Sequence, residues 1–206
     1  MKFAQGSRPA ILGSVLITGI TMLIHPLPAM LMCCITGLII WFYRDPERDV
    51  PRGAGLFVSP ADGKVVEITP ATREFAGESL KIGIFMNAFS VHVNRAPCEG
   101  VIEYMDYVPG KKIAAFSSKA SEINERFYVG LRTQHGAVLL VQIAGLLARR
   151  IVCRRRVGDS LARGERYGMI KLGSKVDVYL PVNATVKVKI GDRVLAGKSI
   201  IAGVGE

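Results

Sequence analysis

The sequence predicts a mainly β protein, a sandwich or barrel of many short strands, preceded by an N-terminal hydrophobic helical segment. Three observations carry this. Charge divides the chain: residues 1–43 hold no Asp or Glu and only Lys2 and Arg8 as cations, whereas residues 44–206 hold all 17 acids and every other Lys and Arg. Beyond Gly55 the apolar residues come in short runs separated by turn dipeptides. No long amphipathic period follows residue 45. The expected organisation is therefore a membrane-associating segment, 1–43, and a β domain, 44–206.

The head contains two apolar stretches, Pro9–Ile24 and Ala29–Tyr43, separated by His25-Pro26-Leu27-Pro28. Two prolines so close should break a helix. Each stretch spans roughly 24 Å as a helix, short of the roughly 30 Å hydrocarbon layer. A shallow hairpin, a re-entrant pair and one kinked span all remain open. Arg44, Arg48 and Arg52 follow the head, and Lys2 and Arg8 open it. These flanks favour a cell-membrane location with the body on the cytoplasmic side.

In the body, Leu56-Phe57-Val58, Lys64–Ile68, Leu80–Phe85, Val101–Tyr107, Phe127–Leu131, Ala137–Ile143 and Val176–Leu180 read as strands. Asp62-Gly63, Pro109-Gly110, Gly158-Asp159 and Gly191-Asp192 mark turns. Val157-Gly158-Asp159 through Gly164-Glu165 echoes Ile190-Gly191-Asp192 through Gly197-Lys198, 33 residues apart. The echo resembles the hairpins of lipoyl- and biotinyl-type sandwiches, without their modified lysine turn.

The net charge of +10 fits nucleic acid or an anionic membrane surface. No zinc-finger spacing, RNA-binding aromatic motif or basic heptad helix is present, so nucleic acid is not expected. An apolar head on a basic body fits the membrane. Cys33, Cys34, Cys98 and Cys153 lack ligand spacing, and His25, His92 and His135 do not cluster, so no metal is expected.

Gly173-Ser174 lies between two strand-like runs. Gly-Ser is a common turn dipeptide. A serine hydroxyl there can also attack the preceding carbonyl, and elimination from the resulting ester would cut the chain.

The segments around it supply context. Phe42–Arg48, Ser59-Pro60-Ala61-Asp62-Gly63, Phe89–Pro97 with His92 and Arg95, Tyr107–Gly110, Asn124-Glu125-Arg126, Ala148–Ile151 and Leu172-Gly173-Ser174 occur in this order. Together they resemble the short form of phosphatidylserine decarboxylase over nearly the whole chain.

The resemblance implies cleavage between Gly173 and Ser174 into a β chain, 1–173, and an α chain, 174–206. Ser174 then becomes a covalent pyruvoyl group, the only cofactor. It forms a Schiff base with the amine of phosphatidylserine and accepts electrons as carbon dioxide leaves, giving phosphatidylethanolamine. His92 is the expected proton donor. Asp62 is placed near the cleavage site, and Arg95, Asn124 and Glu125 are assigned to substrate binding. Long-form members carry a histidine where this chain has Arg95, and that histidine is their self-cleavage base. Arginine cannot act as a base near neutral pH, which leaves His92, Asp62 or water. The expected partners are a phospholipid, the membrane surface and the two chains of one precursor, and a homo-oligomer is allowed. A related serine lipid such as archaetidylserine is an alternative substrate, and an uncut, non-enzymatic membrane adaptor is an alternative class.

Overall fold

Two proline-led helices, α1 (Arg8–Ile24) and α2 (Pro26–Phe42), form most of the first of two units, Met1–Glu47, in the computed structural model. The structure describes residues 2–111, 113, 120–146, 150–171 and 174–205. The helical break falls at His25, whose Nδ1 accepts the Leu27 N–H at 3.2 Å. The second helix starts at Pro26 rather than at Ala29, because proline is tolerated in a first turn, where its missing N–H has no intrahelical partner. The short strands β1 (Lys2–Phe3) and β2 (Arg44–Asp45) pair and bring the two ends of the helical hairpin together.

The hairpin buries its polar residues and exposes its apolar ones. Thr18 and Thr36 share a 2.9 Å hydroxyl contact, and Thr36 also donates to the Ser14 carbonyl at 3.2 Å. Ser14, Thr18, Ala29 and Thr36 are buried, while Leu12, Leu16, Leu31 and Leu38 face outward and Leu23 is 89 % exposed. Neither helix is long and apolar enough to cross a membrane.

The second unit, Arg48–Glu206, is almost entirely β. Its elements are β3 (Leu56–Val58), β4 (Gly63–Arg73), β5 (Gly77–Met86), β6 (Val93–Arg95), β7 (Gly100–Val108), α3 (Ala120–Ile123), β8 (Arg126–Thr133), β9 (Gly136–Ala144), β10 (Arg150–Cys153), β11 (Ser160–Leu161), β12 (Arg166–Lys171), β13 (Ser174–Pro181), β14 (Thr185–Val186), β15 (Arg193–Val194) and β16 (Ile200–Gly203). All seven strands expected from the sequence are present, most of them longer than their apolar runs. The short strands β6, β10–β12 and β14–β16 add two three-stranded sheets and two edges.

The strand orders reveal a duplication. The large antiparallel sheet runs β11-β7-β8-β9-β13-β5-β4-β15, and the small sheets run β10-β12-β6 and β14-β16-β3. Read from the β9–β13 seam outward, the two halves of the large sheet match strand for strand. One copy is β6 to β12, continuous in sequence; the other is β3 to β5 followed by β13 to β16. Each has a bulge at the same place, after Val65 in β4 and after Ile102 in β7. The echoed turns also match. Gly158 and Gly191 have φ of 95° and 101°, Gly164 and Gly197 have 75° and 71°. Asp159 and Asp192 each accept a backbone N–H three residues earlier, at 3.0 Å.

The copies interlock. Val58 N–H donates to the Pro97 carbonyl and Arg95 N–H to the Pro60 carbonyl, an exchange between equivalent residues. The core lies between the large sheet and the two small ones, with Val65, Ile84 and Val176 from one copy meeting Ile102, Leu131 and Val138 from the other. Burial of each such side chain stabilises the fold by roughly 1.5–3 kcal/mol.

The duplication places Ser174. In the continuous copy a tight turn joins β8 to β9, pairing Thr133 with Gly136. The equivalent pair in the other copy is Met86 with Ser174, at the ends of β5 and β13. The continuous copy is inserted at the point where that hairpin would have turned.

Candidate active site

Ser174 opens β13 in the middle of the large sheet, paired with Met86 on β5 and with Ala144 on β9. It is fully buried. Its hydroxyl donates to the Met86 thioether at 3.6 Å, a weak acceptor. Asn94 on β6 directs its Nδ2 to the same sulfur at 3.7 Å, and Gln142 on β9 donates from Nε2 to Asn94 Oδ1 at 2.8 Å. These residues form a polar pocket around Ser174 inside an otherwise apolar core. Gly173 and Leu172, on the other side of the expected cut, lie outside the described residues, as do Ala148 and Arg149.

His92 is fully buried two residues before Asn94. Its carbonyl accepts the Ile170 N–H at 3.3 Å, which fixes it beside the end of β12. Two residues separate that end from Ser174, so the fold brings His92 to the segment that carries the expected cut.

Asp62 sits just off the start of β4, across β5 from Ser174, at about two strand spacings or roughly 10 Å. Arg48 binds one carboxylate oxygen at 2.8 Å and the Ala196 N–H binds the other at 2.7 Å. Arg95 is buried on the Asp62 side, donating to the Gly164 carbonyl at 3.1 Å, with its side chain against Gly197.

Asn124 is fully buried and acts as a clamp. Its Nδ2 donates to the Ala144 carbonyl at 2.7 Å and to the Ile113 carbonyl at 2.9 Å, and its Oδ1 accepts the Ile113 N–H. Because Ala144 is the strand partner of Ser174, the clamp holds the edge of the pocket. Glu125 is half-buried, and its carbonyl accepts the Ala144 N–H at 2.9 Å. Asn124 and Glu125 thus share one anchoring role at β9.

The opposite face of β13 is ionic. Lys175 Nζ contacts Glu67 at 2.6 Å, Asp177 at 3.0 Å and the Ser121 hydroxyl on α3 at 3.0 Å. Lys81 contacts the same two carboxylates at 2.8 and 3.3 Å. Gly83 makes room: a Cβ there would come within 2.6 Å of Lys175 Cε. Two cations and two anions balance, and the group ties β4, β5, β13 and α3 together behind Ser174.

Burial raises the Glu67 pKa, but hydrogen bonds and charge from Lys175 and Lys81 outweigh it and hold the pKa below the ordinary 4.5. A carboxyl that titrates lower in the fold than in the unfolded chain stabilises the fold above its unfolded pKa. That contribution is lost as pH falls through the folded value. The melting temperature should therefore fall on acidification below about 4.5, and Glu67→Gln should flatten that part of the profile, as read by scanning calorimetry.

Met86, Asn94 and Gln142 join the site without being expected there from residue type. Gln142 interrupts the inward-facing series Val138, Leu140, Ala144, and that break was its only signal. Cys98 is buried, and desolvation pushes its thiol up to about 12, which suits a core residue.

Comparison with known proteins bears on most of the chain. A family model described as phosphatidylserine decarboxylase matches residues 35–202. A phosphatidylserine decarboxylase proenzyme of Symbiobacterium thermophilum is 49 % identical over 79 % of this chain and 77 % of its own length. The protein of the same name from Cupriavidus pinatubonensis is 47 % identical over 86 % and 83 %, and that from Nitratidesulfovibrio vulgaris is 49 % identical over 84 % and 81 %.

Proposed function

The chain belongs to the phosphatidylserine decarboxylase family, and on that premise we propose that Ser174 is the source of its catalytic carbonyl. The activity is the decarboxylation of phosphatidylserine to phosphatidylethanolamine and carbon dioxide. The observation that carries the assignment of Ser174 is its position. It is a buried serine, held only by a thioether among the described residues, at the interrupted hairpin of a duplicated fold.

Self-cleavage needs no outside reagent beyond water. Ser174 Oγ adds to the carbonyl carbon of residue 173. The new O–C bond replaces the C–N bond, and the hydroxyl proton passes to the departing nitrogen. The resulting ester loses the Ser174 Cα proton and its Cβ–O bond breaks, freeing residue 173 as a carboxylate. The unsaturated remnant takes up water and releases ammonia, leaving a pyruvoyl group on residue 174. That group supplies an electron sink when the lipid amine is bound to it. The surroundings fit it: Met86 and Ala144 flank position 174 without a charge, and Asn94 Nδ2 points at the same sulfur as Ser174.

Other residues hold and move protons around this position. His92 is the group that delivers a proton to the substrate carbon after carbon dioxide leaves. Asp62 and Arg95 frame the wall formed by the Gly164 and Gly197 turns, where the substrate phosphate or carboxylate binds Arg95. Asn124 and Glu125 keep the pocket edge in place.

The outward leucines of α1 and α2 seat the first unit in the cytoplasmic leaflet of the cell membrane, with Lys2, Arg8 and Arg44 at the headgroups. The lipid then need not leave its bilayer completely. The echoed glycine turns carry the architecture of lipoyl-type hairpins in each copy.

Intact-mass measurement of the purified protein tests this reading. The expected result is two pieces, residues 1–173 and a remainder from 174 bearing a carbonyl in place of its N-terminal amine. Both pieces should float with phosphatidylserine vesicles and release carbon dioxide from them. A single chain that stays uncut after prolonged incubation with vesicles would overturn it.

A further inference from the structure

The duplicated body provides an internal control for every core position, and at two positions beside Ser174 the copies disagree. Asn94 pairs with Gly168 across β6 and β12, as Phe57 pairs with Ala202 across β3 and β16. Gln142 pairs with Phe127 across β9 and β8, as Leu180 pairs with Leu80 across β13 and β5. All four residues are fully buried. One copy thus fills these places with Phe57 and Leu180, which shows that the fold is satisfied by apolar side chains there. The other copy buries two amides in the same backbone setting.

That substitution has a cost that the Gln142–Asn94 hydrogen bond only partly offsets. Gln142 Oε1 is buried and has no hydrogen-bond partner among the described residues, and an unmet buried acceptor is destabilising. A Cβ at Gly168 would lie 2.7 Å from the Val152 carbonyl oxygen and 2.9 Å from Gln142 Nε2, so glycine there leaves room for both. The equivalent place in the other copy, Ala202, carries a Cβ. The amide pair is ordered as a relay. Gln142 Nε2 donates to Asn94 Oδ1, which turns Asn94 Nδ2 toward Met86 Sδ, the atom that Ser174 Oγ also contacts.

We propose that Asn94 is a hydrogen-bond donor to the self-cleavage reaction and that Gln142 is the positioning residue that aims it. The proposal rests on the assignment of Ser174 as the cleaving residue. As Ser174 Oγ adds to the residue 173 carbonyl, negative charge gathers on the carbonyl oxygen. A fixed N–H donor, buried and aimed before the reaction, lowers the barrier there without reorganisation. Met86 contributes a polarisable, weakly accepting neighbour that leaves the Ser174 hydroxyl free to react.

The test replaces each amide by leucine, the residue the other copy carries at the Gln142 position. Asn94→Leu and Gln142→Leu are made singly and together, and self-cleavage is followed by denaturing gel after cell-free synthesis. Melting temperature is measured separately with each change placed on Ser174→Ala, so that cleavage does not intervene. Asn94→Leu should slow cleavage by about 10²-fold or more, the loss typical of one oxyanion donor. Gln142→Leu should slow it by about 10-fold, and the double variant should be no slower than Asn94→Leu alone, because the two act as one unit. Melting temperature should hold or rise with Gln142→Leu.

Cleavage of all three variants at the native rate would overturn the proposal. So would a fall in melting temperature that tracks the loss of cleavage, which would make the pair structural. An unaltered chain that never cuts would instead overturn the Ser174 reading and is distinguishable from both.

Discussion

Ser174→Ala should yield a single 206-residue chain with no decarboxylase activity. The substitution removes one oxygen from a buried site whose described hydrogen bond goes to a thioether, so the fold should be kept. The β13 ladder to Met86 and Ala144 is made by backbone groups that alanine retains. The consequence for activity is total, because both the cut and the catalytic carbonyl derive from that oxygen. Loss of the electron sink leaves the uncatalysed rate, a fall of at least about 10⁶-fold. A denaturing gel and release of carbon dioxide from phosphatidylserine vesicles check the two losses separately. An active Ser174→Ala protein would remove the basis of the mechanism.

The next largest effect is expected at His92. His92→Gln keeps the carbonyl that accepts the Ile170 N–H and keeps a polar side chain of similar reach, but it cannot exchange a proton near neutrality. Decarboxylation by the cleaved enzyme should fall by about 10²- to 10⁴-fold, the usual contribution of a placed acid or base. The melting temperature should move by only a few degrees. The variant also reports on the self-cleavage base. A cut at the native rate assigns that step to Asp62 or water, and a slowed cut assigns it to His92. Wild-type decarboxylation in His92→Gln would refute the proton-donor role.

The long strands were legible because β4, β5, β7, β8, β9 and β13 are dense in apolar and β-branched residues bounded by turn dipeptides. Of the shorter ones only β3 was. Val91-His92-Val93-Asn94-Arg95 is buried throughout, so it lacks the in-and-out alternation that marks a half-exposed strand. Its conformation comes from pairing with β12, information absent from the segment itself.

The duplication showed in the sequence only at the Gly-Asp turns, where backbone angles restrict the residue choice. Along the strands the copies have drifted, as Asn94 against Phe57 and Gln142 against Leu180 illustrate. Ser174 was legible through the ordered motifs around it, and Asp62 and Arg95 through the same motifs. Their shared position at the Gly164 and Gly197 turns was not, because those turns lie far from them in the chain.

The insertion of one copy within a hairpin of the other has a consequence for the protein cut as proposed before Ser174. Before cleavage, folding is unimolecular, and its outcome does not depend on concentration. Afterwards the 174–206 piece supplies a central strand, seated between β9 and β5, to a partner to which no peptide bond connects it. Reassembly becomes a second-order event. A larger fragment without that strand presents two open strand edges, each a template for pairing with other chains. The mature enzyme therefore owes its persistence to a slow rate of opening rather than to ready refolding. The precursor is the form that finds the native state, and the cut product is the form that must not lose it.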